Sequence, residues 1–135
     1  MTFQLEVEYD YDFLILGVSC HERDYRMCWL INKTLGFDLS RDEDLVLHVG
    51  GEKVGFPIFS YEIPEELTRI FLIKNRVPEG VLLPEVKHID YLLKIENDNG
   101  IHGKLQQAVR RIPQVIGTFD LRVEQLKSKD FLIFE

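Results

Sequence analysis

Short apolar runs of strand length recur along this chain, separated by clusters of Gly, Pro, Asn and Asp. Phe3, Leu5, Val7 and Tyr9 alternate with Gln4, Glu6, Glu8 and Asp10, the period of two that marks a strand with one wet face. FLILGVS is apolar without alternation, as a more central strand is expected to be. DLVLHV, FPIFSYEI, TRIFLIKN, HIDYLLKIE, VIGTFDL and DFLIF read as further strands. GGEKVG is a glycine-rich turn that makes a hairpin of Leu45 to Ile63, and NRVPEG is a second turn. In HIDYLLKIE, Ile89, Tyr91, Leu93 and Ile95 fall on one face, with His88 and Asp90 on the other.

Two segments carry helical spacing instead. Ser19 and Glu22 have the separation of a capping box, so a helix is expected to start there. Its apolar stripe takes Tyr25, Cys28, Trp29, Ile31 and Leu35 with Met27 and Leu30, and Gly36 supplies the left-handed stop. ENDNG caps a second, shorter helix in which Ile101, Leu105, Ala108, Val109 and Ile112 recur until Pro113 forbids continuation. GFDLSRDEDLVLHV after the first helix is faintly echoed by GTFDLRVEQLKSKDFLIFE after the second. The order predicts an α+β fold: a largely antiparallel sheet with two helices on one face, a ferredoxin-like or related two-layer sandwich.

At 135 residues and 45% hydrophobic, residues 1–135 suit one domain with a core that needs neither metal nor disulfide. MTFQLEVEYDYDF lacks the pattern of a secretory signal, and no apolar stretch approaches membrane-spanning length. A cytoplasmic protein is the expectation. Cys20 and Cys28, placed eight apart on the first helix, would stand about 12 Å apart along its axis, too far to bridge. The formal charge of -7 opposes nucleic-acid binding unless a local basic patch overcomes it.

Candidate chemistry is sparse. Cys20 at the first turn of a helix would sit where partial positive charge favours a thiolate, but neighbouring His21 points about 100° away and is poorly placed as its base. His21, His48, His88 and His102 show no metal-ligand spacing, and no phosphate-cradling loop or nucleophile elbow is present. No metal or cofactor is therefore expected. Lys104, Arg110 and Arg111 form a basic strip on the second helix, extended by Lys127 and Lys129, that could contact an anion or an acidic partner. RNA would call for exposed aromatics between basic residues on a sheet face. The aromatics of the strands stand among aliphatic residues instead.

Leu83-Pro84-Glu85, three residues, then Ile89-Asp90-Tyr91 resembles the signature of the IPExxxVDY family, with Leu83 for Ile and Ile89 for Val. DYRMCWLINKTLG and LKSKDFLIF are also similar to that family, so the resemblance covers most of the chain. It implies a small bacterial protein of unassigned activity. Read physically, Pro84 would fix the approach to the strand, Glu85 or Asp90 would accept backbone N–H groups, and Tyr91 would fill the core. Two functions follow as expectations: a non-enzymatic module that binds another protein, or itself, through a sheet edge or face; or a small-ligand binder or enzyme using Cys20, or Glu85 and Asp90, near the motif.

Overall fold

The computed structural model describes residues 12–134. Along the chain run β1 (Phe13–Cys20), α1 (Asp24–Leu35), β2 (Ser40–Arg41), β3 (Leu45–Val49), β4 (Glu52–Phe56), β5 (Ile58–Ile63), β6 (Thr68–Lys74), β7 (Arg76–Val77), β8 (Gly80–Val81), β9 (Tyr91–Glu96), α2 (His102–Arg110) and β10 (Val115–Leu121). Six strands make one sheet in the order β10-β1-β9-β6-β5-β2, every neighbouring pair antiparallel. β9 fills the place between β1 and β6, and β1 fills the place between β9 and β10. Two split β-α-β units thus interlock as in a ferredoxin-like core, with β5 and β2 added at one side.

The central strands are mostly apolar because both sheet faces are covered. Leu16 and Val18 of β1, Ile70 and Leu72 of β6, and Tyr91, Leu93 and Ile95 of β9 meet Met27, Cys28, Leu30 and Ile31 of α1 and Leu105 and Val109 of α2. Phe13, Ile15, Phe71, Ile73 and Leu92 point the other way, against Val54 and Phe56 of β4 and Val123, Leu126 and Leu132 beyond β10. The α+β two-layer sandwich of sheet and helices therefore carries a second core on its helix-free face. Lys94 is buried there, 2.7 Å from Glu96 and within 5.5 Å of the ring centres of Phe13, Phe71 and Phe134. Among the described residues no helix is long and apolar enough to cross a membrane.

Local chemistry fixes the end of α1 and the start of α2, and α2 ends at Arg110, short of Pro113. Gly36, at φ 69°, is the left-handed residue after α1, and Asp98 Oδ1 accepts the N–H groups of Ile101 and His102 at the start of α2. The start of α1 is different. Ser19 and Cys20 belong to β1, Ser19 donates its hydroxyl proton to His88 O, and α1 begins at Asp24 after an extended Arg23 with no capping side chain. Pairing of β1 with β10 through Cys20 overrides the capping box. Cys20 and Cys28 consequently lie on different elements. Tyr25 and Trp29 are exposed rather than part of the buried stripe.

Other corrections concern strands. The expected hairpin from Leu45 to Ile63 is divided: β3 pairs with β4 as a separate two-stranded sheet, and after Pro57 the chain enters the main sheet as β5. Ile89 precedes β9 and packs in the second core with Leu92, opposite Tyr91, Leu93 and Ile95. DFLIF is not a strand, because Lys129–Leu132 is a 3-10 turn. The alternating stretch from Phe3 to Tyr9 lies outside the described residues.

Candidate functional site

Asn75 follows β6 and is fully buried, and it organises the loop that returns the chain to β9. Its side-chain amide donates to Val86 O and Ile89 O at 3.2 and 2.8 Å, while Oδ1 accepts the N–H of Leu83 at 2.9 Å. Its backbone N–H donates to Asp90 O, and its carbonyl accepts from Leu82. A buried amide with all these groups satisfied specifies one loop conformation, since any other would strand them away from water. Pro84 then opens a 3-10 turn over Pro84–Val86, and buried Leu83 and Ile89 fasten the loop to the second core.

The two motif acids leave this loop in different directions. Asp90 Oδ2 accepts the N–H of Cys20 at 2.9 Å, at the point where the register of β1 against β10 slips. Its Oδ1 lies 3.7 Å from Arg76. The backbone of Asp90 donates to Val18 O, so this one residue ties β1, β6 and β7 together. Glu85 instead accepts the N–H and the hydroxyl proton of Ser128, at 3.0 and 3.1 Å, and fastens the segment beyond β10. Tyr91 fills the helix-side core and donates its hydroxyl proton to Glu22 O at 2.5 Å. Burial pushes its phenol far up, so it stays neutral.

A surface hollow of about 460 Å³ lies where these groups meet, lined by Cys20, His21, Lys74, Arg76, Asp90 and Tyr91 with Val77 and Pro78. Two features far apart in sequence, the SCHE stretch and Asp90-Tyr91, thus share one site. Glu85 does not line it. Cys20 is buried, and burial, against a backbone hydrogen bond at Glu22 and with the charges of Glu22 and Asp90, pushes its thiol up, away from the thiolate. Glu85 and Asp90 do not converge as an acid and base, since each is bonded to a different segment.

The remaining candidates are dispersed. Lys104, Arg110 and Arg111 of the basic strip are all exposed, and Arg110 donates to Thr118 Oγ1 at 3.2 Å. Lys127 and Lys129 follow Val123 and Leu126, which pack on the face opposite α2, so they do not extend the strip. Among the described residues no three His, Cys, Asp or Glu side chains gather as a metal site. Asn75, Lys74 and Arg76 were not marked by any sequence pattern. An Asn closing an apolar strand just before a Pro-Glu-Gly turn is the one local signal that bears on them.

No protein-family model matches the chain. No curated protein matches it either.

Proposed function

We propose that the chain is a non-enzymatic protein-interaction module of the bacterial cytoplasm, related to the IPExxxVDY proteins, that receives another chain at its sheet edge. The observation that carries this reading is β10. Among the described residues it stands at the end of the strand order with seven residues, whereas the opposite edge, β2, has two. Ile116, 67% exposed, and Phe119, 41% exposed, lie on this strand, whose outer side pairs with no other strand among the described residues. An edge of this length offers main-chain hydrogen bonds to an added strand, and the two apolar side chains give it something to bury. The test is size-exclusion chromatography with light scattering and affinity capture, for the parent and for Ile116→Lys with Phe119→Lys. Self-association or a captured partner lost in the double variant supports the reading; a strict monomer with a captured set unchanged by the two lysines counts against it.

A second reading is a small-anion binder at the hollow beside Cys20, favoured by Lys74 and Arg76 in its lining. Arg76 lies 3.7 Å from the Asp90 carboxylate, so a ligand anion would compete with Asp90. Calorimetric titration with inorganic phosphate and citrate tests it, and no heat in the parent protein disposes of it.

A further inference from the structure

The charge of this protein is segregated by layer. From Arg23 to Leu35 and from His102 to Arg111 the helix layer holds six of the 16 basic residues and one of the 23 acids, Asp24. α1 and α2 lie in contact on the same face of the sheet. Asp120 of β10 reaches His102 and Gln106 of α2, but the helices themselves carry an excess of cations on a molecule whose net charge is -7, and a field of that kind steers an acidic partner to one side of the protein.

Aromatic groups stand within this positive surface. Tyr25 and Trp29, one helical turn apart on α1, are 63% and 47% exposed. Arg26 lies 4.6 Å and Lys33 4.9 Å from the centre of the Trp29 ring, so two cations attend the indole. Exposed Trp, Tyr and Arg side chains together are the composition found where few residues supply most of an interface's affinity. Nothing in the core explains their placement, since the buried stripe of α1 is complete with Met27, Cys28, Leu30 and Ile31.

We propose that the outer face of α1 and α2 is a docking surface for an acidic protein segment carrying an aromatic or aliphatic anchor, the anchor seated on Tyr25 and Trp29 and the acids on Arg26, Lys33, Lys104 and Arg111. The net charge of -7 favours this occupant over a nucleic acid, because a short acidic segment can stay within the positive surface whereas a phosphate backbone runs on over the acidic remainder of the protein. The surface is distinct from the β10 edge and stands whether or not that edge is used.

Trp29 is the chain's single tryptophan, so its emission reports on this surface alone. The probe is a synthetic 15-residue peptide of repeated Asp-Glu-Leu-Glu-Phe, titrated at low salt. The expected result is a saturable blue shift of Trp29 emission. Arg26→Glu and Arg111→Glu should each weaken binding about tenfold, and Trp29→Ala should do the same with a fluorescent peptide as the readout. Both arginines and Trp29 are exposed, and circular dichroism melts verify that the variants fold. Absence of saturable binding by the parent protein overturns the proposal. So does equal binding of penta-decaglutamate, which would leave the aromatic anchor without a role. A 15-nucleotide oligouridine that binds as tightly would make the surface a nucleic-acid site, and an emission shift on concentrating the protein alone would make the occupant a second copy. The Ile116→Lys and Phe119→Lys variant should bind the peptide like the parent, which separates this surface from the sheet edge.

Discussion

Asn75 does more to hold the motif than either acid within it. Removing its side chain in Asn75→Ala leaves the Leu83 N–H and the carbonyls of Val86 and Ile89 without that partner in a dry site, so the variant should lose about 3–5 kcal/mol of stability. Asp90→Ala orphans one N–H, that of Cys20, and should lose about 1–3 kcal/mol. Urea melts rank the two, and an Asp90 variant less stable than the Asn75 variant would show that the order is wrong. Lys94 poses the opposite question. Its ammonium is paired with Glu96 and ringed by three phenyl groups, and burial lowers its affinity for the proton. Exchanging a buried charge for an apolar chain of like volume is often neutral or stabilising, whereas removing one partner strands the other. Lys94→Met should therefore be as stable as the parent or more so. Glu96→Ala should lose about 1–3 kcal/mol, less than a fully buried pair would, because Glu96 is partly solvated. Equal losses in both variants would show that the Lys94–Glu96 pair is net stabilising, and a Glu96→Ala variant as stable as the parent would show that the phenyl groups compensate the charge.

The segment after β10 shows what an element can be without regular structure. Val123, Leu126 and Leu132 are buried in the core on the helix-free face, and Glu85 holds Ser128 from outside. Leu132→Ala should lose about 2–5 kcal/mol as a large-to-small change at a buried site. Glu85→Ala, whose bonds are exposed, should lose about 0.5–1.5 kcal/mol. If Leu132→Ala melted with the parent, the segment would be a dispensable flap and not part of the core. Its sequence, DFLIF, has the same apolar run as a true strand, yet Lys129–Leu132 forms a 3-10 turn that pairs with no strand among the described residues. The same ambiguity hid the side of Ile89, since a strand covered on both faces has no polar beat to fix its phase. Elements bounded by local chemistry were legible: α1 to Gly36, and α2 from Asp98 to Pro113. The start of α1 was not, because Ser19 and Cys20 answer to β10 across the sheet and not to their own neighbours.

At the scale of the molecule the sequence carries the sheet and the helix count, but not which charges and aromatics share a surface. Tyr25 and Trp29 read as core from spacing alone, and Cys20 met Asp90 only through the interlocked β-α-β units. The folded whole also fixes how stability depends on pH. Burial raises the thiols of Cys20 and Cys28 and the phenol of Tyr91, so these groups keep their protons in the native state when the unfolded chain begins to lose them above pH ~9. Native protein then binds more protons than unfolded, and stability falls as pH rises. Lys94 works against this trend: its depressed value means the unfolded chain holds the extra proton in the window below pH ~10.4, so its own contribution grows with pH. With three groups against one, the parent should lose stability steadily between pH 8 and 10.5. Cys20→Ala should flatten that decline and Lys94→Met should steepen it. Urea melts at half-unit pH steps test both signs at once; a Cys20→Ala decline parallel to the parent's would mean that the thiol titrates alike folded and unfolded, and that Cys20 is open to solvent and available for chemistry after all.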